Sequence, residues 1–277
     1  MQAAEILFAG ADELGPVSVV ELAGVRSLHF GTAARQSALD LADPRALVLH
    51  SARRIAAALL LTPTPRRALL LGLGGGSLAK FLLEGLGCEV DAVERRPLVV
   101  EAARRFFALP DDPRLTVLVG DAAELVHALP PGPRYDLVIV DLYNGAGADA
   151  AAGQAPLFAA CRARMTGRAV LAFNLWREEA AAHLGPESGF AREFAPPRLA
   201  VHTANGNVVC FGGAAPLPGL TPELLDRAIA LSTRTGLDCA PLLSELIHFN
   251  PAHFGVCAAA APGGGGDDPG ERVAAGA

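Results

Sequence analysis

From about residue 66 onward, short runs of apolar residues alternate with stretches in which apolar residues recur at helical spacing. Such runs are typical of strands buried on both faces, and the alternation predicts βαβ units with a mostly parallel sheet covered by helices on both sides. The pattern predicts strands at 68–72, 89–94, 115–119, 136–141 and 169–174. It predicts helices at 77–86, 97–107, 122–128 and 154–164.

The N-terminal part of the chain has a different pattern. Short β-like segments at 6–9, 17–22, 25–30 and 36–41 are separated by turn signals and predict a small antiparallel meander. A helix is expected to follow at 44–61, with Asp43 as its cap and Pro44 in its first turn. Near the other end, the pattern predicts a hairpin at 199–203 and 207–211 and helices at 222–235 and 240–247.

These elements predict an α/β fold with a doubly wound, mostly parallel seven-stranded sheet and an N-terminal β meander. The expected division is a meander at 1–42, a Rossmann-like ligand-binding domain at 43–257 and a disordered tail at 258–277, which is rich in Ala, Gly, Pro and Asp. An antiparallel hairpin after parallel strands favours a methyltransferase-like topology over that of a dinucleotide dehydrogenase.

Composition narrows the class of protein further. The net charge of -6 argues against a general nucleic-acid binder. We expect no membrane span, since no run of 18 or more apolar residues occurs, and no secretory leader, since the N-terminus has no basic segment followed by an apolar core. Five scattered cysteines without a CxxC pair predict buried free thiols in a reducing cytoplasm, and the lack of a His, Cys and acid cluster with ligand spacing predicts no metal site.

The stretch after the first buried strand carries the most specific chemistry. Gly72, Gly74 and Gly76 form a glycine-rich turn, and Ser77 is placed to cap the helix that follows. A strand, a glycine turn and a helix build a nucleotide-binding crevice. The third glycine of the dinucleotide fingerprint is missing, so the turn by itself fits NAD, an S-adenosyl sulfonium or no ligand.

Polar residues follow the next three strands at the edge where such sheets bind ligands. Glu94 can accept hydrogen bonds from both hydroxyls of a ribose. Asp121, with the backbone N–H of Ala122, suits an adenine, although Asp121 can also cap a helix. Asp141 ends an apolar strand and can hold an amine and take its proton, with Tyr143 on the following loop; a simple strand-end role is the alternative.

Motif by motif, the chain resembles the polyamine aminopropyltransferases, the spermidine synthase family, and in particular its shorter bacterial members. The resemblance covers about residues 15–213 and includes Gln36 in the meander, the Leu-Gly-Leu-Gly-Gly-Gly-Ser turn, Ala-Val-Glu94, Gly-Asp121-Ala and Val-Asp141. It implies transfer of an aminopropyl group from decarboxylated S-adenosylmethionine to a diamine such as putrescine, without a metal. It also implies that Gln36 lies near the donor's sulfur and that Asp141 deprotonates the attacking amine.

Three positions depart from the family pattern. Ser77 and Asn144 stand where the family has acids, and no tyrosine occurs near Leu47. Because an acid at position 77 would favour a cationic donor, its loss predicts that intact S-adenosylmethionine is tolerated. An S-adenosylmethionine-dependent methyltransferase and a binding homologue without turnover therefore remain alternatives. A homodimer that pairs through the meander is a further expectation.

Overall fold

The computed structural model describes residues 3–132, 134–144, 147–148, 155–203 and 206–256. The tail predicted at 258–277 lies outside these residues, as does Cys257. Among the described cysteines, Cys88, Cys161, Cys210 and Cys239 are buried free thiols, as the sequence predicts.

The N-terminal sheet has four antiparallel strands in chain order: β1 (Glu5–Asp12), β2 (Gly15–Leu22), β3 (Val25–His29) and β4 (Ser37–Asp40). Ala23 and Gly24 form the tight turn between β2 and β3, and both have positive φ. The apolar face of this sheet, including Val17 and Leu28, packs on Val99 of the helix Pro97–Phe106. The predicted meander is thus present, and it is joined to the rest of the protein by an apolar interface.

The second sheet has seven strands in the order β12-β13-β11-β8-β5-β6-β7. Every neighbouring pair from β11 to β7 is parallel, and β13 runs antiparallel to both of its neighbours. The strands are β5 (Arg67–Leu71), β6 (Glu89–Glu94), β7 (Leu115–Val119), β8 (Tyr135–Val140), β11 (Met165–Trp176), β12 (Leu199–His202) and β13 (Asn207–Gly213). Two short strands, β9 (Tyr143–Asn144) and β10 (Gly147–Ala148), pair with each other beyond β8. The predicted fold class is confirmed.

The helices lie on both faces of this sheet. They are α1 (His50–Ile55), α2 (Ala58–Leu61), α3 (Ser77–Lys80), α4 (Pro97–Phe106), α5 (Ala122–Ala128), α6 (Ala155–Arg164), α7 (Arg177–Leu184), α8 (Gly189–Glu193), α9 (Pro222–Thr235) and α10 (Cys239–Phe249). A π-helical turn, Phe81–Gly85, continues α3. Along β5, Leu70 packs into one apolar core while Leu69 and Leu71 pack into the other, so both faces of the strand are buried.

The structure corrects the sequence prediction at several helices. The helix expected at 44–61 begins only at His50 and divides into α1 and α2, because Asp43 instead closes a local turn by accepting from the N–H of Arg45 at 3.2 Å. Two helices that the sequence did not predict, α7 and α8, follow β11. By contrast, β6, β7, α5 and α9 begin and end where the pattern predicts.

Charged side chains also tie the N-terminal sheet to the second sheet. Arg96, which follows β6, is buried and forms a two-point ion pair with Asp12 of β1 at 2.7 and 2.9 Å. Lys80, on α3, is also buried and donates to the backbone carbonyls of Pro44 and Phe107 at 3.0 and 2.7 Å. The Arg96–Asp12 pair therefore fixes the N-terminal sheet to the end of β6, and Lys80 fixes the segment that follows β4 to α3.

Candidate functional site

A cavity of about 430 Å³ opens at the carboxyl edge of the parallel strands. This volume falls within the range of small-molecule pockets, and the position is the one at which open α/β sheets bind ligands. The predicted site residues that line it are Gln36, Gly72, Gly74, Ser77, Glu94, Asp121, Ala122, Asp141 and Tyr143. The structure thus brings these predicted residues together around one cavity.

The glycine turn follows β5 and is held by backbone hydrogen bonds. Gly72 donates to the carbonyl of Val93 at 2.8 Å, and the N–H of Asp141 donates to the carbonyl of Leu71 at 2.8 Å. Gly72 has a φ of 99°, and a side chain there would collide with the carbonyl oxygen of Asp141. Glycine is therefore required at this position by the close approach of the β8 end, in addition to any need for room beside a ligand.

Gly76 and Ser77 have roles that the sequence did not predict. Gly76, with a φ of 77°, is the residue that precedes α3. A side chain at this position would collide with Leu109, and Gly76 is not among the residues that line the cavity. Ser77 does not cap the helix; its hydroxyl donates to the carbonyl of Ala38 at 3.2 Å. The N–H of Gly75 donates to the hydroxyl of Ser37 at 2.8 Å. Strand β4 is thus bonded directly to the glycine turn and forms one wall of the pocket.

Glu94 ends β6 and is only 8% exposed. One carboxylate oxygen accepts from the N–H groups of Leu73 and Gly74 at 3.1 and 3.3 Å, and the other accepts from the N–H of Arg96 at 3.0 Å. Burial raises the pKa of Glu94, while these backbone hydrogen bonds act in the opposite direction. The carboxylate is thus positioned by the glycine turn itself and faces the same cavity.

Asp121 follows β7 and acts as the N-cap of α5. Its Oδ1 accepts from the N–H groups of Ala123 and Glu124 at 2.8 and 3.3 Å. Its Oδ2 lies 4.0 Å from Nε of Arg95. The capping alternative is therefore correct, and because the cap uses one oxygen, the residue still lines the cavity with Ala122 beside it.

Asp141 follows β8 at the centre of the carboxyl edge. Its Oδ1 accepts from the amide Nδ2 of Asn174, two residues before the end of β11, at 2.8 Å. Burial raises the pKa of Asp141, and the hydrogen bond from Asn174 partly opposes that rise. A carboxylate with a raised pKa at a pocket wall has the properties of a general base.

Three pocket residues that the sequence reasoning missed extend from Asp141. Asn207 of β13 donates from Nδ2 to Oδ1 of Asn174 at 3.2 Å and to the hydroxyl of Tyr143 at 3.1 Å. The ring of Trp176 lies 6.5 Å from the ring of Tyr143, with an interplanar angle of 46°. All of these residues line the cavity. Asn174 could have been found, since it is the polar residue that ends the strand predicted at 169–174.

Two kinds of site are not found in the described part of the chain. It contains no group of three or more His, Cys, Asp or Glu side chains that could hold a metal ion. Over the same ranges, every helix is too short or too polar to cross a lipid bilayer.

Comparisons with known proteins show which curated proteins this chain is similar to. No family model matches the chain. A polyamine aminopropyltransferase from Chromobacterium violaceum is 35% identical over 161 residues, which cover 58% of this chain and 61% of that protein. A polyamine aminopropyltransferase from Neisseria meningitidis serogroup A is 28% identical over 249 residues, covering 85% of this chain and 90% of that protein. An eEF1A lysine and N-terminal methyltransferase from Danio rerio matches only 58 residues, at 41% identity.

Solved structures extend the likeness in fold. A spermidine synthase in complex with the transition-state analogue AdoDATO aligns with a TM-score of 0.66 at 16% identity, covering 90% of this chain and 88% of that one. A probable spermidine synthase from Corynebacterium glutamicum aligns with a TM-score of 0.64 at 17% identity, covering 84% and 87%. Human methyltransferase-like protein 13 in complex with SAH aligns with a TM-score of 0.57 at 24% identity, covering 68% and 92%.

The chain therefore has the Rossmann-like fold that is found in spermidine synthases and methyltransferases. The two polyamine aminopropyltransferases, which are transferases, match far more of the chain than the 58 residues shared with the Danio rerio methyltransferase, and the resemblance predicted from the motifs is confirmed. The match to the Chromobacterium protein spans about three-fifths of that relative's length.

Proposed function

We propose that this protein is an aminopropyltransferase that moves an aminopropyl group from decarboxylated S-adenosylmethionine to an amine acceptor, with putrescine as the first acceptor to test. The observation that carries the proposal is the Asp141 carboxylate at the wall of a pocket shared with Glu94 and the glycine turn. Asp141 suits an amine, and Glu94 with the glycine turn suits a nucleoside. One cavity therefore contains residues whose chemistry matches both reactants of the transfer.

In this proposal the donor lies along the glycine turn. Glu94 accepts hydrogen bonds from the ribose hydroxyls, and Asp121 with the N–H of Ala122 binds the adenine. Gln36, on the β4 side of the cavity, lies near the sulfonium. The N-terminal residues 1–42 and the domain at 43–257 would then contribute to one donor pocket, in line with the bonds between β4 and the glycine turn.

In the reaction, the nitrogen lone pair of the acceptor attacks the propyl carbon that is bonded to the sulfonium. The carbon–sulfur bond breaks, its electron pair goes to sulfur, and methylthioadenosine leaves. The proton of the attacking amine passes to Asp141, whose pKa is raised by burial and which is therefore a better base than an exposed carboxylate. Tyr143 lies beside this path and helps to position the amine. Proximity supplies much of the remaining acceleration.

A methyltransferase is the second candidate, and Ser77 is the observation that favours it. The hydroxyl of Ser77 is directed to the carbonyl of Ala38, so position 77 brings no carboxylate to the cavity that it lines. No carboxylate there would repel the carboxylate of intact S-adenosylmethionine. Calorimetry with both donors tests whether the pocket tolerates intact S-adenosylmethionine. A preference of about tenfold or more for the decarboxylated donor would contradict that tolerance.

The deciding experiment incubates the protein with each donor and a panel of primary amines and identifies the nucleoside product by mass spectrometry. We expect methylthioadenosine from the decarboxylated donor in the presence of an amine. S-adenosylhomocysteine from the intact donor would indicate a methyltransferase, and donor binding without any product would indicate a binding protein.

A matched pair of variants tests the donor site. Glu94→Gln should weaken donor binding by about tenfold or more, because an amide presents one acceptor oxygen where the carboxylate has two. Glu101→Gln makes the same chemical change on an exposed salt bridge of α4 and should leave donor binding unchanged. Equal donor affinities in the two variants would contradict the proposed role of Glu94.

A further inference from the structure

The part of the cavity beyond Asp141 differs in charge from the rest of the pocket. We call this part the acceptor end; it consists of Asp141, Tyr143, Asn174, Trp176 and Asn207, all of which line the cavity. Among these residues, Asp141 is the one that carries a formal charge. The others are two neutral amides and two aromatic rings.

The remaining carboxylates of the cavity are already engaged. Glu94 accepts from three backbone N–H groups, at 3.0 to 3.3 Å. Asp121 caps α5 with one oxygen and lies 4.0 Å from the Arg95 guanidinium with the other. Within the described residues that line the pocket, one carboxylate is therefore available to compensate a charged acceptor. A diamine brings two ammonium groups, and each loses hydration that must be replaced by an anion.

The amide side chains at the acceptor end are arranged to suit a neutral group. Asn174 donates to Asp141, and this orientation turns its oxygen toward Asn207. Asn207 in turn donates its N–H protons to Oδ1 of Asn174 and to the Tyr143 hydroxyl, so these side chains are bonded to one another and none of them is an anion. Among the described residues of the acceptor end, a second ammonium would therefore exchange its hydration for neutral groups, whereas a neutral tail has no charge to compensate.

Trp176 adds a hydrophobic surface to the acceptor end. The residue lines the cavity and is 39% exposed, so its ring can pack against the tail of a ligand.

We propose that the acceptor of this protein is a primary amine with a single charge and a neutral distal end, rather than a diamine. The inference rests on the proposed aminopropyl transfer and names the substrate class of the same site. Asp141 binds and deprotonates the one amine, and the tail packs against Trp176 and Tyr143. The product is a secondary amine that carries the aminopropyl group, and methylthioadenosine is released as before.

The test compares two acceptors of equal length that differ only at the distal end, putrescine and 4-aminobutan-1-ol. Methylthioadenosine formation is measured at one pH with the decarboxylated donor. We expect kcat/KM for the amino alcohol to exceed that for putrescine by at least about tenfold. A smaller ratio, or a preference for putrescine, overturns the inference while leaving aminopropyl transfer intact. No methylthioadenosine with any amine would overturn the proposed function itself.

Charge variants at the acceptor end test whether its residues cause the preference between the two acceptors. Asn207→Asp adds an anion there and should shift the kcat/KM ratio toward putrescine by at least about tenfold. Asn207→Ser changes the shape without adding charge and should leave the ratio near that of the wild type. Donor calorimetry verifies that each variant is folded, and Trp176→Glu provides a second charge addition at an exposed position if Asn207→Asp does not fold. An equal effect of the added charge on both acceptors would overturn the assignment of this end.

Discussion

Two carboxylates of the same sheet, Asp91 and Asp141, are held in opposite ways. Asp91, on β6 toward the amino edge, is 6% exposed and accepts from the Arg67 guanidinium at 2.7 and 3.1 Å and from the Tyr135 hydroxyl at 2.7 Å. Asp141, at the carboxyl edge, accepts from the neutral amide of Asn174. A cation balances the first charge inside the protein, whereas the second is left with a neutral partner beside a cavity.

This difference distinguishes a carboxylate that stabilises the fold from one that is suited to act as a base. The Asp91 cluster joins β5, β6 and β8, which carry Arg67, Asp91 and Tyr135, and burial together with the Asp91 carboxylate raises the pKa of Tyr135 so that it remains a donor. Among the residues that the structure describes, Asp141 has no such cation beside it, and burial raises the pKa of its carboxyl. An unbalanced carboxylate binds a proton or a cation more readily, and this is the property that a base or an amine site requires.

The largest expected effect comes from Asp141→Asn. If Asp141 is the base, turnover should fall by about 100-fold or more, because the amide cannot accept the proton of the attacking amine. Donor affinity should remain within about threefold, since the donor residues lie on other strands. Steady-state rates and donor calorimetry measure the two quantities. Unchanged turnover would remove Asp141 from the mechanism.

Asp91→Asn tests the other half of the comparison. The substitution leaves the Arg67 guanidinium without its anion, and we expect the free energy of unfolding to fall by about 2 kcal/mol, below the usual cost for a fully buried pair because the Arg67 side chain is 29% exposed. Turnover per folded molecule should be unchanged. Denaturant unfolding gives the stability, and a loss of turnover without a loss of stability would contradict the structural role.

A smaller effect is expected from Asn174→Ala, which removes the hydrogen bond to Asp141. That bond holds the pKa of Asp141 below the value that burial would otherwise give. Its loss should therefore raise the pKa, and the acidic limb of the pH–rate profile should move upward by about 0.7 of a pH unit, equivalent to ~1 kcal/mol. Asn250→Ala, which removes a hydrogen-bonding amide far from the pocket, serves as the control. A downward shift would contradict the assignment.

The smallest expected effect concerns Lys80, a buried cation whose hydrogen-bond acceptors are neutral carbonyls. Burial lowers its pKa from 10.5 to about 8. The folded chain then releases a proton that the unfolded chain retains between these values, so the free energy of unfolding should rise with pH over this window. Relative to Lys80→Met, the wild type should gain up to about 1 kcal/mol from pH 8 to pH 9. Denaturant unfolding at both pH values measures this difference, and parallel stability curves would contradict the lowered pKa.

The sequence was sufficient for the fold because the central strands of the second sheet are buried on both faces. An apolar run such as that of β5 or β8 has one stable environment in a sheet covered by helices, and the ends of these strands were predicted to within one residue. Helix starts were less certain. Asp43 followed by Pro44 is a strong N-terminal signal, but Asp43 closes a turn instead, and helix α1 begins only at His50.

The site was predictable where a rule of topology applies. Glu94, Asp121 and Asp141 follow parallel strands, and carboxyl ends of parallel strands meet at one edge. Asn207 could not be found in this way, because β13 runs antiparallel and presents its first residue, rather than its last, to the pocket. The bond from Ser77 to Ala38 depends on how β4 packs on the glycine turn, a contact between positions 39 residues apart.

The burial of Lys80 also determines how this protein responds to chemical labelling. It is the only lysine in the chain, it is 2% exposed, and its ammonium donates to the carbonyls of Pro44 and Phe107. Amine-reactive reagents therefore have no exposed lysine to modify in the folded state. Incorporation of such a reagent at Lys80 would instead count the molecules in which α3 has separated from these two segments, so that one mass-spectrometric peak would report local opening next to the glycine turn.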